Sequence, residues 1–188
     1  FEEAVKTRKQ LDWIEAYAGA ARTTKALRAK GGLALCLGLD HGQDFNNPRD
    51  RAHLEALIHR LKPKHLWLAF PCTAFCQWSH LNAARGCSME VRLAEGRCHL
   101  NFVLDLASLA HGLGCFVTLE NPLGSTAWTQ KRTLQVLSQP HWHSARLHQC
   151  RLGLRGPEGG LHLKPTLIKT TCPEITAALS KECNKDHV

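Results

Sequence analysis

The chain has 188 residues, 44% of them hydrophobic and 21% charged, the balance of one globular domain with a proper core, which excludes a low-complexity or disordered chain. No apolar run approaches the roughly 18 residues of a membrane helix, so no membrane partner is expected, and the charged opening Phe1 to Gln10 does not read as a signal peptide. A formal net charge of +8 and a pI near 9.2 favour a polyanionic partner, although charge by itself speaks to encounter and solubility.

In chain order, Leu11 to Ala18 reads as a strand and Ala21 to Lys30 as a helix stopped by Gly31-Gly32. Leu33 to Leu39 is the next apolar strand, Asp40 to Pro48 is turn-rich, and Arg51 to Leu61 has helical spacing through Leu54, Leu57, Ile58 and Leu61. After Pro63, the strand His65 to Ala69 runs into Phe70-Pro71-Cys72-Thr73-Ala74-Phe75-Cys76. The polar stretch Gln77 to Ser88 precedes a long helix from about Met89 to His111. Cys115 to Leu119 is a strand ending in Glu120-Asn121-Pro122, and Ser125 to Leu137 is helical. Ser144 to Leu152 and Pro165 to Thr171 read as strands on either side of the Gly-rich turn Gly153 to Gly160, and Ala177 to Val188 is a polar tail with room for a short helix. This alternation predicts one α/β domain over residues 1–188, its core at about 11–171, with a mainly parallel sheet and helices on both faces. The opening without Met gives the expectation of a piece of a longer chain.

Nine cysteines, at 36, 72, 76, 87, 98, 115, 150, 172 and 183, form no CxxC pair. The odd count argues against a disulfide framework and for a reducing, intracellular compartment, with nuclear and cytoplasmic both open. The spacing supports no zinc site, so no metal is expected.

Cys72 ends a strand at the carboxyl edge of the sheet, where open α/β sheets bind ligands. Most cysteines in such a place are buried core residues. Here Pro71 breaks the strand just before it and turn-like residues follow, so nearby helix N-termini are expected to lower the thiol pKa and expose it as a nucleophile. Cys76, four residues on, is its rival by type. Glu120 closes another strand and should share that edge; read alone, Glu-Asn-Pro is a helix cap followed by proline. Beside a cysteine it has a chemical purpose. Thiolate addition to carbon 6 of cytosine builds negative charge over the ring, and an acid at ring nitrogen 3 stabilises it while carbon 5 attacks an electrophilic methyl group. Upstream, Glu15-Ala16-Tyr17-Ala18-Gly19 makes a small-residue turn into a helix N-terminus, a tight connection or a place where backbone approaches a ligand. Asp40, at the end of the second strand, caps a turn or accepts hydrogen bonds from a ribose.

The order Glu-x-Tyr-Ala-Gly, strand-end Asp, Pro-Cys and Glu-Asn resembles the DNA cytosine-5 methyltransferases, closest to compact, divergent members that read Pro-Cys-Thr-x-Phe-Ser with Trp-Ser-x-Leu-Asn after it. Here that stretch is Pro71-Cys72-Thr73-Ala74-Phe75-Cys76-Gln77-Trp78-Ser79-His80-Leu81-Asn82. Glu120-Asn121-Pro122-Leu123-Gly124-Ser125, His148-Gln149-Cys150-Arg151 and Lys164-Pro165-Thr166 are similar to later motifs of those relatives. The resemblance implies a Rossmann-like fold that binds S-adenosyl-L-methionine. It implies Tyr17, Ala18, Gly19 and Pro71 beside the cofactor, Asp40 on its ribose, and Asp44 and Phe45 about its adenine. Cys72 would be the nucleophile and Glu120 the partner of ring nitrogen 3. Asn121, Gln149 and Arg151 would lie near the substrate, with Arg85 on its backbone. DNA is the expected partner; an RNA substrate and a protein that supplies target recognition stay open.

The sequence also departs from the family. Gly19-Ala20-Ala21 stands where Gly-x-Gly is usual, Phe70 replaces a proline, Cys76 replaces a serine, and no segment for target recognition is evident. A catalytically idle module of the same fold that binds nucleic acid or a protein is therefore the alternative. Phe70-Pro71-Cys72-Thr73 does not match the Asn/Asp-Pro-Pro-aromatic motif of enzymes that modify exocyclic amines. Thr171-Cys172-Pro173 resembles the second motif of RNA cytosine-5 enzymes only superficially, because Glu120 follows the Pro-Cys strand.

Overall fold

The structure, a computed structural model, describes residues 10–76 and 88–185. Its strands are β1 (Trp13–Ala16), β2 (Ala34–Leu37), β3 (His65–Leu68), β4 (Phe116–Pro122), β5 (His143–His148) and β6 (Pro165–Thr170). The helices are α1 (Arg22–Ala29), α2 (Pro48–Leu61), α3 (Met89–Gly112), α4 (Lys131–Leu137) and α5 (Pro173–Leu179). None of these helices is long and apolar enough to cross a membrane.

One six-stranded sheet runs in the order β2-β1-β3-β4-β6-β5. The first four strands are parallel, joined by crossover helices, whereas β6 lies antiparallel to both β4 and β5. The mainly parallel sheet expected from the alternation is thus a mixed one. The cause is local: no α-helix lies between β5 and β6, so the chain doubles back on the neighbouring strand. The α/β architecture is compatible with a Rossmann-like arrangement. Because β2 lies on one side of β1 and β3 on the other, chain order reverses at β1, which opens a crevice above the carboxyl ends of these strands.

Strand parity divides the core. Ile14, Ala16, Leu66, Leu68, Val117 and Leu119 point to one face and pack with Leu100, Val103, Leu104 and Ala107 of α3. Trp13, Glu15, Trp67, Glu120 and Ile168 point to the other, which carries α1 at one side and α5 at the other. On that second face Trp13 stacks on His65 at 4.6 Å, and His65 Nε2, Thr118 Oγ1 and Thr170 Oγ1 form a buried chain of hydrogen bonds at 2.8 and 2.7 Å.

Two boundaries differ for reasons that matter at the site. β1 stops at Ala16 because Tyr17 takes a left-handed conformation (φ 59°), which turns the chain out of the sheet two residues before the expected end. α2 starts at Pro48 rather than Arg51: the Asn47 side chain accepts from Arg49 N at 3.0 Å, and proline fits the first helical turn. The expected strand Ser144 to Leu152 ends at His148 and continues as the 3-10 turn Gln149–Leu152, while the tail helix lies at Pro173–Leu179.

Candidate functional site

Two cavities adjoin at the carboxyl edge, and Ala69, just after β3, lines both. The first encloses about 340 Å³ above β1 and β2. Tyr17, Ala18 and Gly19 wall it from the turn after β1, Asp40, Asp44 and Phe45 from the segment after β2, and Pro71 from the loop after β3. These are the residues that the sequence groups as cofactor-binding. The turn is built by β1 itself. Glu15 is buried, and its Oε2 accepts from Thr24 N at 2.9 Å and Thr24 Oγ1 at 2.7 Å, capping α1 where Ala21 offers no side-chain acceptor. Gly38 lets the end of β2 approach this turn: a Cβ there would stand 2.8 Å from the carbonyl oxygen of Ala18.

Tyr17 packs on Phe45, ring centroids 4.8 Å apart, and its hydroxyl is hydrogen-bonded to His99 Nδ1 at 3.1 Å. Burial raises the phenol pKa and lowers that of His99, helped at His99 by the positive charge of Arg51, so both are neutral at physiological pH. Phe45 is held by Arg51, whose Nε donates to its carbonyl, and Asp44 Oδ1 accepts from Asn46 N at 2.9 Å. Asp40 stays exposed at the rim, beside the 73%-exposed side chain of Leu39. Sequence reasoning missed Gly38, Leu39, Gln43, Asn46, Ala69 and His99 in this wall. The one legible signal was Gly38, a small residue just before the strand-end Asp; His99 sits 82 residues from the tyrosine it meets.

The second cavity, about 560 Å³, is a groove on the α5 face. Trp13, Trp67 and Ile168 floor it, Arg22 and Thr23 of α1 wall one side, and Glu120, Gln149 and Lys164 stand toward the edge. Glu120 Oε1 is buried without a hydrogen-bond partner, and burial raises the carboxyl pKa against the pull of Lys164. Gln149 Nε2 donates to Thr166 Oγ1 at 3.0 Å. Cys72 lies half-buried in the loop after β3 and, unlike its neighbour Pro71, lines neither cavity.

Three expectations are corrected. Burial, then the neighbouring Cys76, raises the Cys72 pKa, where helix N-termini were expected to lower it. Asn121, 1% exposed, points away from the groove because it alternates with Glu120 along β4; its Nδ2 donates to the Phe70 carbonyl at 2.8 Å, so it holds the Cys72 loop rather than lining the substrate side. Arg151 lines neither cavity and instead donates to Asn184 Oδ1 at 3.0 Å. Cys76, the rival thiol, is turned back on its own loop and donates to the Thr73 carbonyl at 3.4 Å. Arg85 and the Trp78-Ser79-His80-Leu81-Asn82 stretch fall outside the described residues. Among the described residues no group of three or more His, Cys, Asp or Glu is placed to hold a metal ion.

Neither a protein-family model nor a curated protein matches this chain.

Proposed function

We propose that the chain is an S-adenosyl-L-methionine-dependent methyltransferase of Rossmann-like fold that methylates carbon 5 of cytosine in DNA. The observation that carries the reading is the pair of cavities sharing Ala69, one walled by the expected cofactor residues and the other holding the unpartnered carboxyl of Glu120. A methyl donor and an acceptor ring in these two cavities would meet beside the Cys72 loop.

The first cavity suits the cofactor by shape and by donor set. Its volume falls within the range of small-molecule sites, Gly38 and Gly19 let backbone come close, and Asp40 offers a carboxylate at the rim for ribose hydroxyls. The bound cofactor supplies an electrophilic methyl group. Cys72 sulfur adds to ring carbon 6, and the displaced electron pair runs through the ring toward nitrogen 3. Glu120 fits the acid at that atom: burial raises its carboxyl pKa and so favours the protonated form, which donates where a carboxylate could not. After carbon 5 is methylated, its proton passes to solvent, the electron pair of that carbon–hydrogen bond re-forms the ring double bond and expels the Cys72 sulfur, and ring nitrogen 3 returns its proton to Glu120.

Two measurements test this reading. Calorimetry should detect S-adenosyl-L-methionine binding that weakens at least tenfold in Asp40→Ala, the loss of about one good hydrogen bond to a charged group. DNA carrying 5-fluorocytosine should form a denaturation-resistant adduct in the presence of the cofactor that survives Cys76→Ala and is lost in Cys72→Ala. Cofactor binding without an adduct on DNA, but with one on RNA, moves the substrate to RNA. Neither binding nor adduct refutes the enzyme reading in favour of an idle module.

A further inference from the structure

The floor of the groove is an aromatic stack that stops short of the carboxyl edge. The Trp13 ring is stacked against His65 at 4.6 Å and against Trp67 at 5.6 Å, with interplanar angles of 17° and 26°. His65 and Trp13 are buried, whereas Trp67, nearer the edge, stays partly exposed and lines the groove. A tryptophan that served the core alone would be covered as Trp13 is.

Register explains the opening. On this face of β3 the residue after Trp67 is Ala69, roughly 7 Å farther along the chain direction. Trp67 pairs with Thr118, so Glu120 stands level with Ala69 on one side; Leu68 pairs with Ala16, so the matching position on β1 is Tyr17. Tyr17 leaves the sheet through its left-handed turn and packs on Phe45 and His99 in the first cavity, and so puts no side chain over Ala69. The level beyond Trp67 therefore carries a methyl group and a carboxyl whose Oε1 has no partner. Atoms of rings in contact sit about 3.5–4.0 Å apart, so a gap of roughly 7 Å takes one ring laid on the indole. That ring would lie over Ala69, the residue that both cavities share. Arg22 of α1 and Lys164 at the head of β6 line the same groove from its two sides, a charge pattern that suits the phosphates of a strand carrying the ring.

We infer that Trp67 is the stacking platform of the acceptor: one pyrimidine ring of a nucleic-acid strand lies over Ala69, flat on the Trp67 indole and with its edge toward Glu120. The inference rests on the methyl-transfer reading above and adds to it the residue that holds the ring. Trp67 makes and breaks no bond. It sets the plane of the ring, and Ala69 keeps the place free, because a larger side chain there would fill it.

The test is binding without cofactor, read by fluorescence anisotropy of a dye-labelled DNA strand at low salt. One strand is made of abasic residues with a single cytosine at its centre; the other is the same strand with no base. The parent should bind the cytosine strand about tenfold more tightly, the worth of one base stacked on an aromatic side chain. Trp67→Leu and Ala69→Leu should bind both strands alike, while Trp67→Phe keeps most of the preference. Affinity for the base-free strand, equal to the parent's, reports that each variant is folded; where Trp67→Leu folds poorly, Ala69→Leu decides. No preference in the parent, or a preference kept in either leucine variant, overturns the inference. Because this binding needs neither cofactor nor Cys72, the two readings fail separately. A preference lost in both leucine variants, with no 5-fluorocytosine adduct, supports the ring site and refutes the methyl transfer. An adduct with no preference in the parent refutes the ring site alone.

Discussion

Gly96, in the middle of α3, seats the loop that carries Cys72, and replacing it with alanine should damage stability and chemistry together. A Cβ built at this position would lie 2.4 Å from the Cβ of Ala74 and 3.2 and 3.4 Å from ring atoms of Phe75. Carbon atoms in contact sit about 3.5–4.0 Å apart, so something must move by roughly 1 Å. Ala74 has no rotamer to change. Phe75 is fully buried, its N donates to the Cys72 carbonyl at 2.9 Å and its own carbonyl accepts from Thr126 N at 2.9 Å. The displacement therefore falls on the backbone around Cys72. Overpacking of this kind costs about 1–3 kcal/mol, while alanine in place of glycine inside a helix gains about 1 kcal/mol, for a net loss of up to about 2 kcal/mol. In a chain of this size that lowers the melting temperature by up to roughly 8 °C. A shift of about 1 Å in a reacting group costs on the order of a hundredfold in rate. Thermal denaturation and the rate of 5-fluorocytosine adduct formation read the two effects. Gly112→Ala is the control, because a Cβ at the far end of the same helix meets nothing within 4 Å. Gly96→Ala as stable as the parent and as fast in adduct formation would refute the packing argument.

Gly38→Ala should crowd the turn after β1 through a Cβ 2.8 Å from the Ala18 carbonyl; calorimetry should show at least a tenfold loss of cofactor affinity, and unchanged affinity would remove the turn from the site. Burial holds His65 neutral, its pKa lowered from 6.5 to about 4. The folded state binds fewer protons than the unfolded chain between those values, so this contribution, up to about 3 kcal/mol, is whole above pH 6.5 and is lost as pH falls toward 4. Urea denaturation from pH 7 to pH 4 should show a shallower decline in His65→Gln than in the parent. Glu120 shifts the other way: its folded pKa is raised, so its contribution is whole below about 4.5 and is lost as pH rises through the folded value. E120Q should therefore gain stability on the parent as pH rises from 4 to 8, while adduct formation falls roughly 10²–10³-fold; a variant that keeps the parent's adduct rate would take Glu120 out of the chemistry.

The residues of the first cavity that the sequence singled out, Tyr17 to Gly19, Asp40, Asp44, Phe45 and Pro71, were legible because each lies in the segment that follows a strand. A turn of small residues, a strand-end acid and a Pro-Cys break can be read from their own neighbours, and the parallel topology then brings them to one edge. What the sequence hid depends on parity and on long-range packing. Asn121 and Glu120 are adjacent, so both seem to belong to the site, but alternation along β4 sends one to each side of the sheet. His99 and Gly96 sit within an apolar helix whose periodicity shows a core face and not that this face meets Tyr17 and the Cys72 loop. The sign of the Cys72 shift was misread for a similar reason. Helix N-termini can be inferred from sequence, but the depth of a loop between β3, β4 and α3 cannot. The antiparallel β6 follows from a missing helix between two strands, a signal present in Gly153 to Gly160 but overridden by the alternation upstream.

Departures from local preference gather at this edge, and their distribution bears on whether the domain acts or merely binds. Tyr17 and Ala21 take left-handed backbone conformations that cost non-glycine residues on the order of 1–2 kcal/mol each. Glu120 Oε1 and Asn121 Oδ1, toward the end of β4, are buried without partners, at a further cost of about 1–3 kcal/mol apiece. Lys62, Thr133 and Trp13, at the start of β1, show that such features also occur away from the edge. Against a total stability of about 5–15 kcal/mol, the sum at the edge is large. A scaffold that only docked onto a surface would gain from a leucine at position 120, where the strand already packs beside Ile168 and Trp67. A left-handed turn, by contrast, is what aims Tyr17 at His99 and opens the first cavity, and on the proposed reading a carboxyl whose pKa burial raises is suited to donate to a ring nitrogen. On the proposed reading, the hydrogen bond that Glu120 Oε1 lacks is the one that ring nitrogen 3 of the cytosine would complete.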